Sequence, residues 1–290
     1  MPALSLVVLQ WNQLEYTERC IASLRDNTNV PYELIVVDNG SLPDAASRAS
    51  ELGDKAILND ENLGFARGMN AGLAAAEGGY VAFINNDTVF PPNWAESLLE
   101  DFTAFDAPGI VAPAVTAAGN PVTVRSEAGS KAIVLTPFGE LPSGVVYVME
   151  LETIRTLGGW NESYPIATAE DLDLCFTVWV NGLDFILDER VLVEHASQGT
   201  IRTMPERSRL WRENLGLFLD RWTSPESDPV RLPTCPSHEF RLNVRHARGA
   251  AMWLQRYIKA RDLATQAPTV EPHPPSTEQD RGLLARLLGR

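Results

Sequence analysis

The stretch Tyr80-Val81-Ala82-Phe83-Ile84-Asn85-Asn86-Asp87-Thr88 indicates the fold of this 290-residue chain. Its apolar run predicts a buried β-strand, and the run ends at polar residues just before Pro91-Pro92. Three other runs end in Asn or Asp in the same way: Leu4–Leu9 at Gln10-Trp11-Asn12, Leu34–Val37 at Asp38-Asn39, and Lys55–Leu58 at Asn59-Asp60. Because ligands bind outside the carboxyl ends of strands in open α/β sheets, these endings predict a polar cleft.

Segments with helical periodicity alternate with these strands. Apolar residues recur at helical spacing over 14–24, 45–52 and 64–76. This alternation predicts an α/β fold in which helices cover both faces of a mixed, mostly parallel central sheet. The alternation stops at residues 117–143, which predict a hairpin or a loop over the cleft.

The domain boundaries follow from the same pattern. We predict one main domain over residues 1–222, followed by a C-terminal helical extension over 223–263. Residues 264–290 contain a Pro-rich stretch, and they predict a disordered linker with a short amphipathic tail.

Composition restricts the class of protein. The net charge of −14 and the isoelectric point near 4.7 argue against nucleic acid as a partner. Cys20, Cys175 and Cys235 lie too far apart in sequence for a disulfide framework or a thiolate zinc site. The N-terminus shows no secretory signal, and no run approaches the ~20 apolar residues of a membrane span, so we expect a cytoplasmic protein.

The sequence lacks the glycine motifs of two common nucleotide-binding sites. Residues Gln10 to Leu14 stand where a dinucleotide fold carries G-x-G-x-x-G, and the chain has no G-x-x-x-x-G-K-[ST]. Gly64, Gly68 and Gly72 recur every fourth residue along one helix. Two explanations stay open: close packing of the helix on the sheet, or close approach of backbone amides to an anionic ligand.

Two further elements carry titratable groups. Glu170-Asp171 opens a predicted helix, where acidic residues suit the helix dipole but can also accept a proton from an incoming hydroxyl. His195 ends an apolar strand, and a lone histidine is more often structural than a ligand. If Asp87 shares its cleft, imidazole with carboxylate and phosphate oxygens suits Mn²⁺ better than Ca²⁺.

An ordered set of motifs over residues 4–222 resembles the inverting nucleotide-sugar transferases of glycosyltransferase family 2. The set comprises Leu6-Val7-Val8-Leu9-Gln10-Trp11-Asn12, Val36-Val37-Asp38-Asn39-Gly40-Ser41, Asn62-Leu63-Gly64-Phe65-Ala66 through Asn70, Asn85-Asn86-Asp87 at the D-x-D position, Gly158-Gly159-Trp160-Asn161-Glu162, and Glu170-Asp171-Leu172-Asp173-Leu174-Cys175. The resemblance implies a single Rossmann-like domain of the glycosyltransferase A type. It also implies transfer of a sugar from a dTDP, UDP or GDP sugar to an acceptor hydroxyl, by single displacement with inversion.

The resemblance also implies roles for individual residues. Asp171 would be the catalytic base, with Glu170 the less favoured choice, and Asp87 with His195 would hold Mn²⁺ or Mg²⁺. The acceptor would contact Trp160, Asn161 and Glu162, with the Trp160 ring against a sugar face. The nucleotide contacts would fall on Gln10, Asn12, Asp38, Asn39, Asn62, Gly64, Arg67, Asn70 and Asn86.

One departure from the family pattern concerns the metal. Asn85 replaces the first Asp of D-x-D, so the site has one carboxylate fewer, and we expect weak metal binding without nucleotide. Whether the metal is required stays open. The combination of Asn85-Asn86-Asp87 with Asn39 resembles rhamnosyltransferase-like members of the family.

Several alternatives stay open. The chain could be a non-catalytic nucleotide-sugar-binding module; a sugar-phosphate nucleotidylyltransferase is less favoured because Gln10 to Leu14 lacks a Gly-rich loop. The acceptor could be a glycan, as in cell-wall or polysaccharide biosynthesis, a lipid-linked oligosaccharide, a small molecule or a peptide. A weak peripheral membrane contact through residues 282–290 and a homodimer are also open, although a frayed tail and core packing are the favoured interpretations.

Overall fold

The computed structural model describes residues 2–117, 123–135, 141–196 and 207–223. Its strands are β1 (Leu4–Gln10), β2 (Tyr32–Asp38), β3 (Lys55–Leu58), β4 (Tyr80–Asn85), β5 (Thr88–Val89), β6 (Pro108–Val115), β7 (Ala132–Leu135), β8 (Val146–Glu150) and β9 (Asp184–His195). Its helices are α1 (Leu14–Asn27), α2 (Pro43–Ala49), α3 (Phe65–Ala75), α4 (Trp94–Ala104), α5 (Leu151–Thr156), α6 (Glu170–Val180) and α7 (Arg207–Thr223). The predicted C-terminal extension and tail lie outside the described residues.

The strands form one mixed sheet in the order β3-β2-β1-β4-β8-β6-β9-β5, with β7 also pairing with β9. The first four strands of this order are all parallel, and β6 pairs with β9 in parallel. Strand β8 runs antiparallel to both β4 and β6, and β5 and β7 run antiparallel to β9. The α/β fold with its central, mostly parallel sheet is therefore confirmed.

Each face of the sheet has its own hydrophobic core, because successive strand residues point to opposite sides. Val7 belongs to the core that includes residues of α3, α5, α6 and α7, whereas Leu6 and Val8 belong to the core under α1, α2 and α4. The near-continuous apolar runs of the central strands thus reflect burial on both faces. Cys20 and Cys175 are buried free thiols, one in each core, as the sequence predicts.

The glycine stripe of α3 resolves into two different uses. A Cβ on Gly68 would lie 2.5 Å from Leu9 Cδ1, and one on Gly72 would lie 2.2 Å from Val7 Cγ1, so these two glycines let the helix pack closely on β1. Gly64 precedes the helix with φ of 87°, and it faces the backbone of Ile166. Close packing therefore explains the two glycines within the helix.

Two local predictions are corrected by the structure. Residues 185–187 and 191–193 predict two short strands, whereas β9 is one twelve-residue strand from Asp184 to His195 with an irregular register opposite Pro113 and Ala114. Part of the predicted loop 117–143 is strand β7, which pairs with β9. Within the described part of the chain, no helix combines the length and apolar character needed to cross a membrane.

Candidate functional site

The polar strand endings lie along one edge of the sheet. Gln10 is in register with Asp38, Leu9 with Asn85, and Asp38 with Leu58, so β1, β2, β3 and β4 end side by side. We call this edge the carboxyl rim. The predicted clustering of these endings is borne out by the parallel register.

The loop after β2 is held by the buried Asp38 carboxylate. Gln10 Nε2 donates to Asp38 Oδ1, and the Ser41 backbone N–H donates to Asp38 Oδ2 at 3.0 Å. The Asn12 backbone N–H donates to Ser41 Oγ at 2.9 Å, and Asn12 Oδ1 accepts from the Leu42 N–H at 2.8 Å. These bonds join the first two strand endings into one preformed loop pair.

Asn39 joins the second ending to the loop before α3. Its Nδ2 donates to Asn62 Oδ1 at 2.9 Å and to the Gly64 carbonyl at 3.1 Å, and its Oδ1 accepts from Asn59 Nδ2 at 3.1 Å. Asn39 is 3% exposed. Its amide therefore shapes the rim by internal hydrogen bonds, a structural role that the sequence does not reveal.

Asp87 and His195 meet at the end of β5. Asp87 Oδ1 lies 3.0 Å from His195 Nε2, and both side chains are largely buried. His195 Nδ1 lies 2.6 Å from the Ala117 carbonyl oxygen, which fixes the proton on Nδ1 because a carbonyl can only accept. The Nε2 lone pair then faces a carboxylate, so a cation, either a proton or a metal ion, is needed between the two atoms.

The oxygen and nitrogen atoms of Asp87 and His195 are suitable ligands for a divalent metal. Asp87 Oδ2 is buried and has no hydrogen-bond partner among the described residues, which leaves one carboxylate oxygen available as a ligand. No group of three or more His, Cys, Asp or Glu side chains suited to a metal occurs within the described ranges. Phosphate oxygens and water would have to complete the coordination, in agreement with the loss of a carboxylate at Asn85.

Glu170 and Asp171 open α6 in a water-poor environment. Burial raises the pKa of Glu170 well above its usual value, and the charge of Asp171 raises it further. Burial also raises the pKa of Asp171, against the opposing effect of the Leu172 backbone N–H, which donates to Asp171 Oδ1 at 2.8 Å. Glu170 is 6% exposed, whereas Asp171 is half-buried, so Asp171 is the more accessible carboxylate.

Asp171 is linked to the carboxyl rim through the start of β8. A Cβ on Gly144 would lie 3.0 Å from Asp171 Oδ2, so the absence of a side chain there makes room for the carboxylate. The next residue, Val145, accepts the backbone N–H of Asn85 at 3.0 Å. This contact chain runs from Asp171 to the strand ending that carries Asp87.

The backbone before α6 is the most unusual segment of the site. Ile166, Thr168 and Ala169 have φ of 61°, 89° and 68°, a region that residues with a side chain rarely adopt. Phe65 N–H donates to the Ile166 carbonyl at 2.5 Å, so this segment packs against the loop before α3. The sequence gives no signal for this strain, because Tyr164-Pro165-Ile166-Ala167-Thr168 contains no glycine.

Trp160 requires a correction. Its ring is 2% exposed and lies in the core, with ring centroids 5.2 Å from Phe65, 5.3 Å from Phe83 and 6.0 Å from Tyr147. A ring enclosed in this way cannot stack on an acceptor sugar, so the role expected from the sequence does not fit its position. Trp160 is instead a large core side chain that packs beneath the surface of the site.

The remaining predicted residues are distributed around the site. Asn70 Nδ2 donates to the Trp160 carbonyl and to Glu162 Oε1, each at 2.8 Å, so it holds the 158–162 loop. Arg67 and Glu162 are exposed, and Arg67 Nε lies 3.8 Å from Glu162 Oε2. Asn161 Nδ2 donates to Asp173 Oδ2 at 3.2 Å, and Asn86 Nδ2 donates to Thr17 Oγ1 on α1 at 2.9 Å.

Comparisons with known proteins agree with this fold. Residues 5–135 match the model "Glycosyl transferase family 2". A putative glycosyltransferase, EpsH of Bacillus subtilis, is 34% identical over 114 residues, which cover 38% of this chain and 33% of that protein. The matched part spans about a third of the length of the first curated relatives.

Solved structures share the architecture. S. aureus TarS 1-349 in complex with UDP-GlcNAc has a TM-score of 0.65 at 12% identity, covering 92% of this chain and 76% of that one. The mannosyltransferase PcManGT from Pyrobaculum calidifontis, in complex with GDP-Man and Mn²⁺, has a TM-score of 0.57 at 18% identity, covering 98% and 79%. At these identities the likeness concerns the fold.

The sheet and these neighbours show that the chain has the glycosyltransferase A fold. The match over residues 5–135, together with the glycosyltransferase relatives, shows that this part of the chain is similar to glycosyltransferase family 2.

Proposed function

We propose that this chain transfers a sugar from a nucleoside-diphosphate sugar to an acceptor hydroxyl by single displacement, with inversion at the anomeric carbon. One observation carries the proposal: Asp171 lies against Gly144, whose neighbour Val145 bonds to Asn85 on the carboxyl rim. This contact supports a proton acceptor next to the proposed diphosphate site. UDP-GlcNAc and GDP-Man in the structural neighbours are consistent with such a donor.

The donor nucleoside would lie over the preformed loops at the ends of β1 and β2. Asp38, Asn39 and Asn12 fix the shape of these loops through hydrogen bonds within the protein. Gln10 Oε1 is buried and lacks a partner among the described residues, so it is available to an N–H donor of a base if the loop opens. Asn62 and Gly64, in the loop before α3, bond to Asn39, whereas Asn86 bonds to Thr17 on α1. With Arg67 and Asn70 of α3, they would supply further contacts to the donor.

The diphosphate would lie at Asp87 and His195. Both residues present atoms suited to a divalent cation, as their contact and the unpartnered Asp87 Oδ2 indicate. When bound, Mn²⁺ or Mg²⁺ would act as a Lewis acid that offsets the negative charge developing on the leaving diphosphate. The protein's net charge of −14 makes such local neutralisation necessary for binding an anionic donor.

Asp171 would act as the general base. Its carboxylate takes the proton of the acceptor hydroxyl while the acceptor oxygen forms a bond to the anomeric carbon. The bond from that carbon to the diphosphate oxygen breaks, and the nucleoside diphosphate leaves with the electron pair. Because burial raises the pKa of Asp171, the rate should fall as the pH decreases through that raised pKa.

The neighbouring Glu170 provides the matched control. Burial and the charge of Asp171 raise the pKa of this carboxyl and so favour its protonated form, which Glu170→Gln imitates with a neutral group of similar shape. We expect Asp171→Asn to lower kcat by about 10³-fold, within the range of general-base contributions, and Glu170→Gln to retain turnover within about threefold. Donor affinity should stay unchanged in both variants.

The measurement is release of nucleoside diphosphate from a panel of dTDP, UDP and GDP sugars, with donor binding followed by calorimetry. Full turnover by Asp171→Asn would remove Asp171 as the base, and loss of turnover in Glu170→Gln alone would move that role to Glu170. Donor binding by the wild-type protein without any transfer or hydrolysis would support the non-catalytic binding module instead.

A further inference from the structure

The strained segment before α6 needs an external support. Three residues between positions 166 and 169 have positive φ, and each such residue costs about 1–3 kcal/mol unless the surroundings hold it. Glu170 and Asp171 follow immediately, so the conformation of this segment sets the direction in which both carboxyls point. Whatever holds this segment in place therefore also holds the two carboxyls in place.

Asn214 on α7 provides that support. Its Nδ2 lies 2.9 Å from the Thr168 carbonyl oxygen, 3.0 Å from that of Ala167 and 3.3 Å from that of Pro165. Asn214 is fully buried, and its two N–H groups are shared among these carbonyls. Carbonyls left without a donor in this position would each cost about 1–3 kcal/mol.

The opposite side of the segment rests on the donor-side loop. The Phe65 N–H donates to the Ile166 carbonyl, and a Cβ on Gly64 would lie 2.8 Å from the Ile166 nitrogen. Gly64 is in turn bonded through its carbonyl to Asn39. The segment is thus held between α7 on one side and the loop before α3 on the other.

We propose that Asn214 is a positioning residue for sugar transfer: it fixes the strained segment so that Asp171 points at the acceptor hydroxyl. The inference rests on the proposed function. Asn214 itself touches no reacting group, and its effect passes through the three carbonyls to the first turn of α6. A misplacement of about 1 Å at a reacting group can cost about 10²-fold in rate, so the loss should appear in kcat.

The same helix offers a control of a different kind. Arg221 and Trp222 bind Asp173, with Arg221 Nη1 at 2.6 Å from Oδ2 and Trp222 Nε1 at 2.8 Å from Oδ1. These bonds attach α7 to Asp173 in the first turn of α6 and avoid the 165–168 carbonyls. Trp222→Phe therefore removes a buried donor and weakens α7 packing, while it leaves the support of the strained segment in place.

The test compares Asn214→Leu, which keeps the volume but removes the donors, and Asn214→Ala with Trp222→Phe. Circular dichroism and thermal unfolding identify the folded variants, and calorimetry gives donor affinity. For folded Asn214 variants we expect kcat to fall by at least tenfold with donor Kd within twofold. Trp222→Phe, at a similar loss of Tm, should keep kcat within threefold of wild type.

Hydrogen exchange of peptides covering residues 160–172 supplies a readout that needs no turnover. We expect faster exchange in the Asn214 variants than in Trp222→Phe. Equal exchange rates in the Asn214 variants and in Trp222→Phe would overturn the inference. So would a folded Asn214→Leu or Asn214→Ala whose kcat stays within threefold of wild type. If the wild-type protein transfers no sugar, the proposed function fails, and the exchange data still decide whether Asn214 holds the segment.

Discussion

The two sides of the site are built by different means. On the proposed donor side, Gln10 and Asp38 end their strands, Asn39 follows β2 directly, and hydrogen bonds between neighbouring strand endings and loops join them. On the acceptor side, Glu170 and Asp171 follow a strained segment whose supports, Gly64 and Asn214, come from distant parts of the chain. The donor side is thus set by the sheet, and the acceptor side by tertiary packing.

Under the proposed function, this difference separates donor binding from proton transfer. A donor site made from strand endings needs little beyond a correct sheet register, so it should tolerate changes in the helices on the opposite side. The carboxyls of α6 depend on strain that other elements must hold, so they should be sensitive to changes far from the reacting atoms. Substitutions on each side should therefore affect kcat and donor affinity in different proportions.

The largest effect is expected at Gly64, where the two sides meet. Gly64→Ala forces a Cβ into the backbone of Ile166 at 2.8–3.0 Å and places Ala at φ of 87°. We expect a loss of about 2–4 kcal/mol in unfolding free energy and at least a hundredfold fall in kcat, because strain and misplacement act together.

Denaturant unfolding and steady-state kinetics measure both quantities. Gly72→Ala is the matched control, since it lies within α3 and crowds the Val7 side chain on β1, away from the strained segment. A Gly64→Ala protein with normal kcat would show that the two sides are independent, contrary to the comparison.

A smaller effect, confined to the donor side, is expected at Asp87. Asp87→Ala removes the carboxylate that faces His195, and we expect about a tenfold or greater loss of nucleoside-diphosphate affinity in buffer containing Mn²⁺. In buffer with a chelator, wild type and variant should differ much less. Calorimetry with the nucleoside diphosphate measures both conditions, and an unchanged Kd in Mn²⁺ would remove Asp87 from the metal site.

The smallest effect is expected outside the site, at Asp101 on α4. Its carboxyl is 2% exposed, and burial followed by the charge of Asp188 raises its pKa to about 7, despite Arg190 at 2.9 Å. A raised pKa means that the folded protein holds a proton that the unfolded chain releases. This contribution to stability is complete below pH 4 and is lost as the pH rises to about 7.

Asp101→Asn imitates the protonated carboxyl, so it should remove this pH dependence. Between pH 4.5 and 8, we expect the unfolding free energy of wild type to fall by about 2 kcal/mol relative to that of the variant. Without solvent screening, a pKa raised this far would give about 4 kcal/mol. Urea unfolding at both pH values measures it. Parallel pH profiles of the two proteins would contradict the assignment, and kcat should be the same in both.

The sequence predicts much of the donor side because strands and their endings are local patterns. Leu4–Leu9 and Tyr80–Ile84 are continuous apolar runs, and parallel register brings Gln10, Asp38 and Asn85 to one edge without further information. Apolar residues at helical spacing over 210–222 also predict a helix, and it is present as α7. Periodicity of 2 and 3.6 residues carries these predictions.

The acceptor side is harder to predict because its determinants are long-range. The left-handed conformation of Ile166 opposes its local preference and exists only because α7 and the α3 loop hold it. Asn214 lies in an amphipathic helix, where an Asn gives no sign of its burial. Trp160 resembles an acceptor platform in sequence, yet Phe65, Phe83 and Tyr147 enclose it in the core.

The ends of the sheet bear on self-association. Strand β3, at one end, has only four residues and carries Lys55, whose ammonium pairs with Glu33 and Glu77; β5, at the other, has two residues. Short, charged edge strands make poor templates for a strand from another molecule. These two edges therefore offer little template for β-strand addition.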